Sequence, residues 1–301
     1  MTPYNLSIFV CSALLLAACS KDSEEPVTPP VHTDPDRIEI NINPSVDESR
    51  ATDTAFESGD CVGLYVVNHS AGQAGNLSNS GNHADNMRFR YSSGAWVPDT
   101  PIYWLDKETH ADFYLYYPYT TITSVTAQPF AVKANQSKEA DYKASDFLVG
   151  KACDVAPTSS AIDIPANHIM SRILIDLKPG DGFTTASLSN ANVAVKVNGI
   201  KCSSNVNIAT GNATATGEAT SVTPLNTNGV YSAIIVPQAV AEGNLITVTV
   251  DGRDYNLVKA FTFERAQSHR FTVTLNKTSN GVNVNINPWG DDGVDNGGAA
   301  E

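Results

Sequence analysis

The chain is poor in several things, and each shortage closes off a class of function. Its 301 residues hold five cysteines and three methionines, and no two cysteines stand in a Cys-x-x-Cys pair. Basic residues are scarce, with 19 Lys and Arg against 32 Asp and Glu, for a net charge of −13. A chain this acidic is not drawn to nucleic acid or to an anionic membrane surface by electrostatics. No segment longer than about three turns carries a clean helical stripe with caps. There is no His-Glu-x-x-His pair, no Gly-x-Ser-x-Gly elbow and no phosphate-binding glycine loop. The apolar run from Leu6 through Ala18 is thirteen residues long, too short for a bilayer span of ~20.

That run instead reads as an export signal. It closes on Leu16-Ala17-Ala18-Cys19, with small side chains beside a scissile bond and a thiol at the new N-terminus. Residues 1–18 are therefore expected to leave as a lipoprotein signal peptide, although Met1–Asn5 carries no Lys or Arg. Cys19 is expected to take lipid and to anchor the protein in the outer membrane. One acyl chain holds only marginally, so the several chains of a lipoprotein cysteine are the anchor. Residues 19–36, acidic and rich in proline, read as an extended tether. Cys11 departs with the signal. Cys61, Cys153 and Cys202 remain, an odd number, read as small hydrophobic thiols with one disulfide left open.

From Arg37 onward the dominant period is two. Ile38, Ile40 and Ile42 alternate with polar residues, as do Val193, Val195 and Val197, then Ile246, Val248 and Val250, and finally Phe271, Val273 and Leu275. This marks strands with one face on a core. Strand-like runs are expected at 37–43, 61–67, 87–97, 102–104, 112–117, 130–134 and 146–152. A second set lies at 168–177, 192–202, 205–209, 230–236, 245–258, 261–275 and 282–289. The fold class is all-β and antiparallel, because no helix-length crossovers separate the strands. The runs divide into an N-terminal β-sandwich at 37–158 and a C-terminal one at 159–289. Residues 68–86 and 210–229 read as long loops, and 290–301 as a flexible acidic tail.

The search for chemistry finds no catalytic set. His32, His69, His83, His110, His168 and His269 pair with no nucleophile or base in sequence. His168 reads as a hydrogen-bonded structural residue. The tail Asp291-Asp-Gly-Val-Asp-Asn lacks the order and closing Glu of a calcium loop. No cofactor and no metal are expected. Aromatics gather at Tyr103-Trp104 and along Phe113–Tyr119. Such a row can stack on sugars, but alternation along a strand favours core packing.

The order of several segments resembles the fimbrillin family of Bacteroidales, the subunits of type V pili. They are Ser49-Arg-Ala-Thr52, Phe56-Glu-Ser-Gly-Asp-Cys-Val-Gly-Leu-Tyr65 and Pro101-Ile-Tyr-Trp104. Asp112-Phe-Tyr-Leu-Tyr-Tyr-Pro118, Gln136 before Ser145-Asp-Phe-Leu148, His168-Ile-Met-Ser-Arg172 and Ile286-Asn-Pro-Trp289 follow. The resemblance implies two tandem transthyretin-like sandwiches. It also implies that Ser20-Lys-Asp-Ser-Glu-Glu25 is similar to a surface-export address, and that subunits assemble by strand donation. In that scheme a protease removes the first strand, and the last strand of another subunit refills its groove. Arg50-Ala51 lies after the first strand and is the expected cut; a cut at Arg37 would leave the strand in place. Val282, Val284 and Ile286 form the candidate donor strand, although the added residues 290–301 depart from a plain stalk subunit. The function expected is therefore a structural and adhesive surface lipoprotein rather than an enzyme. It would be a pilus subunit, accessory or anchor in a homo- or heteropolymer. A host glycan or protein is left open as a further partner, and a monomeric glycan-binding lipoprotein is the alternative.

Overall fold

In a computed structural model, residues 36–46 and 55–277 are described in full, and 284–290 and 298–300 as backbone strands. The first half contributes β1 (Ile42–Val46), β2 (Cys61–Asn68), β3 (Ala84–Ser92), β4 (Ala95–Pro98), β5 (Ala111–Tyr117) and β6 (Gln128–Ala131). A one-turn helix α1 (Glu139–Lys143), β7 (Leu148–Val155) and β8 (Ile162–His168) follow. The second half begins with β9 (Ser171–Pro179), helix α2 (Thr185–Asn190), β10 (Val193–Asn207), β11 (Asn212–Val222), β12 (Leu225–Thr227) and β13 (Val230–Ile235). It continues with β14 (Gln238–Val240), β15 (Asn244–Val250), β16 (Arg253–Val258), β17 (Phe261–Phe263), β18 (Ser268–Leu275), β19 (Val284–Gly290) and β20 (Gly298–Ala300). The protein is nearly all β.

Two-residue turns explain where several strands break. Ser93-Gly94, Asn228-Gly229 and Asp251-Gly252 all hold φ between 49° and 88°. Positive φ at both central residues is the hairpin turn that matches strand twist. The expected single strands 87–97 and 245–258 are therefore two hairpins, β3–β4 and β15–β16. The Asp-Gly pair was the signal that should have split the second run. The expected loop 210–229 is also corrected. It holds β11, whose Ala213-Thr-Ala-Thr216 alternation is too weakly apolar to register as a strand. Residues 192–202 and 205–209 merge into one long strand, β10, bent by irregularities where it pairs β11. The tail expected at 290–301 contributes β20, which pairs β19.

The first sheet runs β1-β8-β7-β5-β2-β3-β4. A second runs β11-β10-β15-β16, with β6 also on β10, and a third runs β12-β13-β9-β18-β19-β20. Most pairs are antiparallel, but β1 lies parallel to β8 and β9 parallel to β18. The antiparallel expectation rested on the lack of local crossovers. These pairs need none, since their strands are more than a hundred and almost a hundred residues apart.

Among the described residues, three cores hold the sheets. The first lies inside the curled first sheet, around Val62, Leu64, Val66, Phe89, Phe113, Leu115, Ile162 and Ile164. Another lies between the two larger sheets of the second half, around Ile173, Val197, Ile246, Phe271 and Val273. The third joins the halves, taking Tyr65, Tyr114, Tyr116 and Phe147 from one and Val206, Ile208, Ile234 and Val236 from the other. This explains why β2 and β5 are buried on both faces. Strands also trade across the seam. β8, from the expected second half, pairs with β7 and β1, while β6, from the expected first half, pairs with β10.

Candidate subunit-assembly site

The element of interest is the N-terminal strand and what it covers. Alternation continues from Ile38 to Val46, with Ile40, Ile42, Pro44 and Val46 inward and the residues between them exposed. Ile40 is 1% and Ile42 5% exposed. The strand proper begins at Ile42, later than the expected 37–43, because residues 38–40 pair with a different partner. The Ile40 N–H donates to Ile102 O at 2.8 Å, and Trp104 N–H donates to Ile38 O at 2.9 Å. Arg37 closes the near end, its guanidinium 4.1 Å from the centre of the Tyr103 ring. From Asn41 onward the partner is β8. Ile162 N–H donates to Asn41 O at 2.9 Å, and Asn43 Nδ2 donates to Asp163 Oδ1 at 2.7 Å.

Backbone bonding in this pair is thin. Pro44 lies opposite Ile164, and Ser45 opposite Pro165. Each proline removes one ladder donor, and parallel ladders are slightly weaker per residue. Side-chain burial therefore holds β1 more than hydrogen bonds do. Without β1 and residues 37–41, the apolar side chains of Ile102, Trp104, Ile162, Ile164 and Ala166 would lose their cover. Trp104 is held in place independently, its indole N–H donating to Thr158 O at 3.0 Å. Ile102, Trp104 and β8 are the site residues missed in sequence. The alternation Ile162-Asp-Ile164-Pro-Ala166 was legible, but its proline hid it.

Of the residues named in advance, Cys19, Arg50, Ala51 and Val282 lie outside the described residues. Val284 and Ile286 fall on β19, where Ile286 is opposite Val273 of β18 and Gly298 of β20. The backbone of β19 is thus paired along both edges, by six residues on one side and three on the other.

The other candidate chemistry is structural. His69 Nε2 lies 2.9 Å from Asp112 Oδ1, His110 Nδ1 2.7 Å from Asp154 Oδ1 and His168 Nδ1 2.5 Å from Asp146 Oδ2. His83 Nε2 meets Tyr103 O at 2.6 Å, and Glu264 N–H donates to His269 at 3.3 Å. Among the described residues no group of three or more His, Cys, Asp or Glu has metal-holding geometry. Cys61, Cys153 and Cys202 are free thiols. The aromatic row divides as alternation requires: Phe113 faces the first core, while Tyr114 and Tyr116 enter the joining core. Trp104 is buried too, whereas Tyr103, Tyr117 and Tyr119 are half-buried, so most of the row serves packing.

A family described as fimbrillin-like matches residues 49–289. A Bacteroides uniformis protein provisionally named fimbrium subunit Fim1C is 25% identical over 299 residues, covering 93% of this chain and 94% of that one. A crystal structure of a provisionally assigned cell adhesion protein from the same species superposes with a TM-score of 0.64 at 18% identity. It covers 85% of this chain and 98% of that one. A Bacteroides ovatus counterpart gives 0.64 at 20% identity, over 83% and 95% of the two chains.

Proposed function

Because the chain belongs to the fimbrillin-like family, we propose that it is a structural and adhesive pilus subunit. It works at the cell surface and assembles with other subunits through the site occupied by its first strand. The observation that carries the reading is the clasped, weakly laddered segment 37–46, which buries Ile40 and Ile42 at a sheet edge. An apolar groove beside unpaired backbone is the receptor that an added strand needs.

In this reading Cys19 carries lipid and holds the subunit in the outer membrane. A cut at Arg50-Ala51 then detaches the lipid, the tether and the whole of residues 37–46, and a neighbour's strand fills the groove. The alternative bond, Arg37-Ile38, is the poorer substrate. Proteases require an accessible, locally extendable backbone, whereas Ile38 O is bonded to Trp104 and Arg37 is stacked on Tyr103. The paired edges of β19 favour a subunit that accepts a strand more readily than it donates one, as a terminal or anchoring member would.

The deciding experiment is the N-terminal sequence of the protein recovered from surface filaments, beside the behaviour of Arg50→Ala. Material beginning at Ala51, and loss of SDS-resistant ladders in Arg50→Ala with the monomer still folded, is the expected result. Filaments formed normally by Arg50→Ala would refute the mechanism. Surface protein that always retains residues 20–50 would assign the anchor role instead.

A further inference from the structure

Among the described residues two ladders are parallel, one holding the first strand and the other holding β18. β1 runs beside β8 over five pairs, from Ile42–Ile162 to Val46–Ala166. β18 runs beside β9 over eight, from Ser268–Arg172 to Leu275–Pro179. β8 and β9 are consecutive strands, separated only by Ile169 and Met170. Both of these residues are buried, and each is fastened to a different half. Ile169 N–H donates to Phe147 O at 2.9 Å, just before β7, and Ala266 N–H donates to Met170 O at 3.0 Å, two residues before β18. The two parallel ladders are thus joined by a short, pinned piece of chain.

Direction gives this arrangement its mechanical meaning. In a parallel pair the two N-terminal ends lie side by side. A pull on Asp36 acts on β1 at its N-terminal end, while β8 is held at its C-terminal end, where the chain passes into β9. A pull on Lys277 acts on β18 at its C-terminal end, while β9 is held at its N-terminal end. Tension between these two points therefore drags each pair lengthwise, strand against strand. Every hydrogen bond of a ladder is then loaded at once, whereas a strand peeled from one end gives up its bonds singly. Buried side chains add to the resistance. A slip of one residue, about 3.3 Å, would turn an inward set out to water, and in the first strand that set is Ile40, Ile42 and Val46. Across β9 and β18, Arg270 Nη1 lies 2.6 Å from Asp176 Oδ2, and Arg172 Nε donates to Ser268 Oγ at 3.0 Å.

We propose that β1, β8, β9 and β18 form a mechanical clamp, a continuous path that carries tension through the subunit with both of its ladders in shear. The antiparallel strands β19 and β20 lie outside it. Gly290 stands beside His269, at the end where β9 is held, so a pull from beyond Gly290 peels these strands first and then reaches β18. A neighbour's strand seated in place of β1, running the same way and pulled from its N-terminal end, would load β8 as β1 does. That extension to the filament rests on the strand-exchange reading above, whereas the clamp within one subunit does not.

The test is single-molecule force spectroscopy on the full chain, with azide-bearing residues placed in pairs to take the handles. One pair is 36 and 277, which drags β1 along β8. The other is 45 and 277. Ser45 is exposed and lies opposite Pro165, near the far end of the same ladder, so this pull peels apart the bonds that the first one shears. Forced unfolding is governed by the barrier to opening, so the two geometries are compared at one pulling speed. The first rupture should need at least twofold more force from 36 than from 45, with both labelled proteins giving the same circular dichroism and thermal melt. Equal first-rupture forces in proteins that melt alike would overturn the clamp while leaving strand exchange intact. Normal filaments from Arg50→Ala would have the opposite meaning: the strand-exchange route for the load would fall, and a twofold difference between the two pulls would still establish the clamp.

Discussion

Ile40 and Glu39 are neighbours in sequence with opposite environments, and they give the sharpest test of the clasped segment. Ile40 lies in the first core at 1% exposure, while Glu39 is in water and joins its neighbours through the backbone. Ile40→Asp would bury an unpaired charge and should cost several kcal/mol; Glu39→Ala should fall within about 0.5 kcal/mol of neutral. Chemical denaturation of both variants checks this, and equal sensitivity would mean that the segment is not half-buried. A second single-residue effect concerns Asp112, 3% exposed. Burial works to raise its pKa, but the His69 hydrogen bond, the Asp154 N–H and the Lys151 charge outweigh it and hold the carboxyl below its ordinary range. A depressed carboxyl contributes stability that is fully present above the unfolded value of about 4 and is lost as pH falls through the lower folded value. Thermal melts should therefore show the native protein losing stability below about pH 4. Asp112→Asn should start lower at pH 7 and fall less steeply in acid. Parallel acid limbs would remove Asp112 from that account.

Strand-level reading of the sequence recovered which residues face a core, and it did so wherever alternation was strong. It failed where the deciding fact lay elsewhere in the chain. Alternation in Ile38–Val46 cannot reveal that one part pairs with residues 102–104 and the next runs parallel to β8, since both partners are set by tertiary closure. β2 and β5 posed a different difficulty. Buried on both faces, they show nearly continuous apolar runs, and although alternation favoured packing for the row Phe113–Tyr117, it left a sugar platform open. The glycine of the Cys61–Tyr65 stretch shows what such double burial requires. A Cβ on Gly63 would collide with the ring of Tyr116, which stacks on Phe147 at 6.0 Å in the joining core. Gly63→Ala should destabilise by about 1–3 kcal/mol through overpacking, and pairing it with Tyr116→Leu should recover part of the loss. A neutral Gly63→Ala in equilibrium unfolding would show that the ring has room to move.

At the scale of the whole molecule, the decisive feature is that the two halves share a core as well as strands. Gln136 lies at the centre of this seam, fully buried. Its amide acts as a short piece of strand: Oε1 accepts Ile234 N–H at 2.8 Å, and Nε2 donates to Ile234 O at 2.8 Å and to Lys133 O at 3.0 Å. Beyond Ser232, where pairing with β12 ends, this side chain satisfies the open edge of β13. Buried backbone groups left without partners cost about 1–3 kcal/mol each, so Gln136→Ala orphans both groups of Ile234 at once. Its effect should spread to both halves, because the joining core draws Tyr65, Tyr116 and Phe147 from one and Val206, Ile234 and Val236 from the other. Calorimetry should then show one cooperative transition for the native chain, shifted as a unit in Gln136→Ala. Two resolved transitions, only one of them moved by the substitution, would mean that the halves are stable independently and meet across a passive interface. A single transition has a functional consequence. Displacing the first strand loosens one end of a welded body, so a subunit opened for exchange keeps its remaining sheets in place while the incoming strand closes the groove.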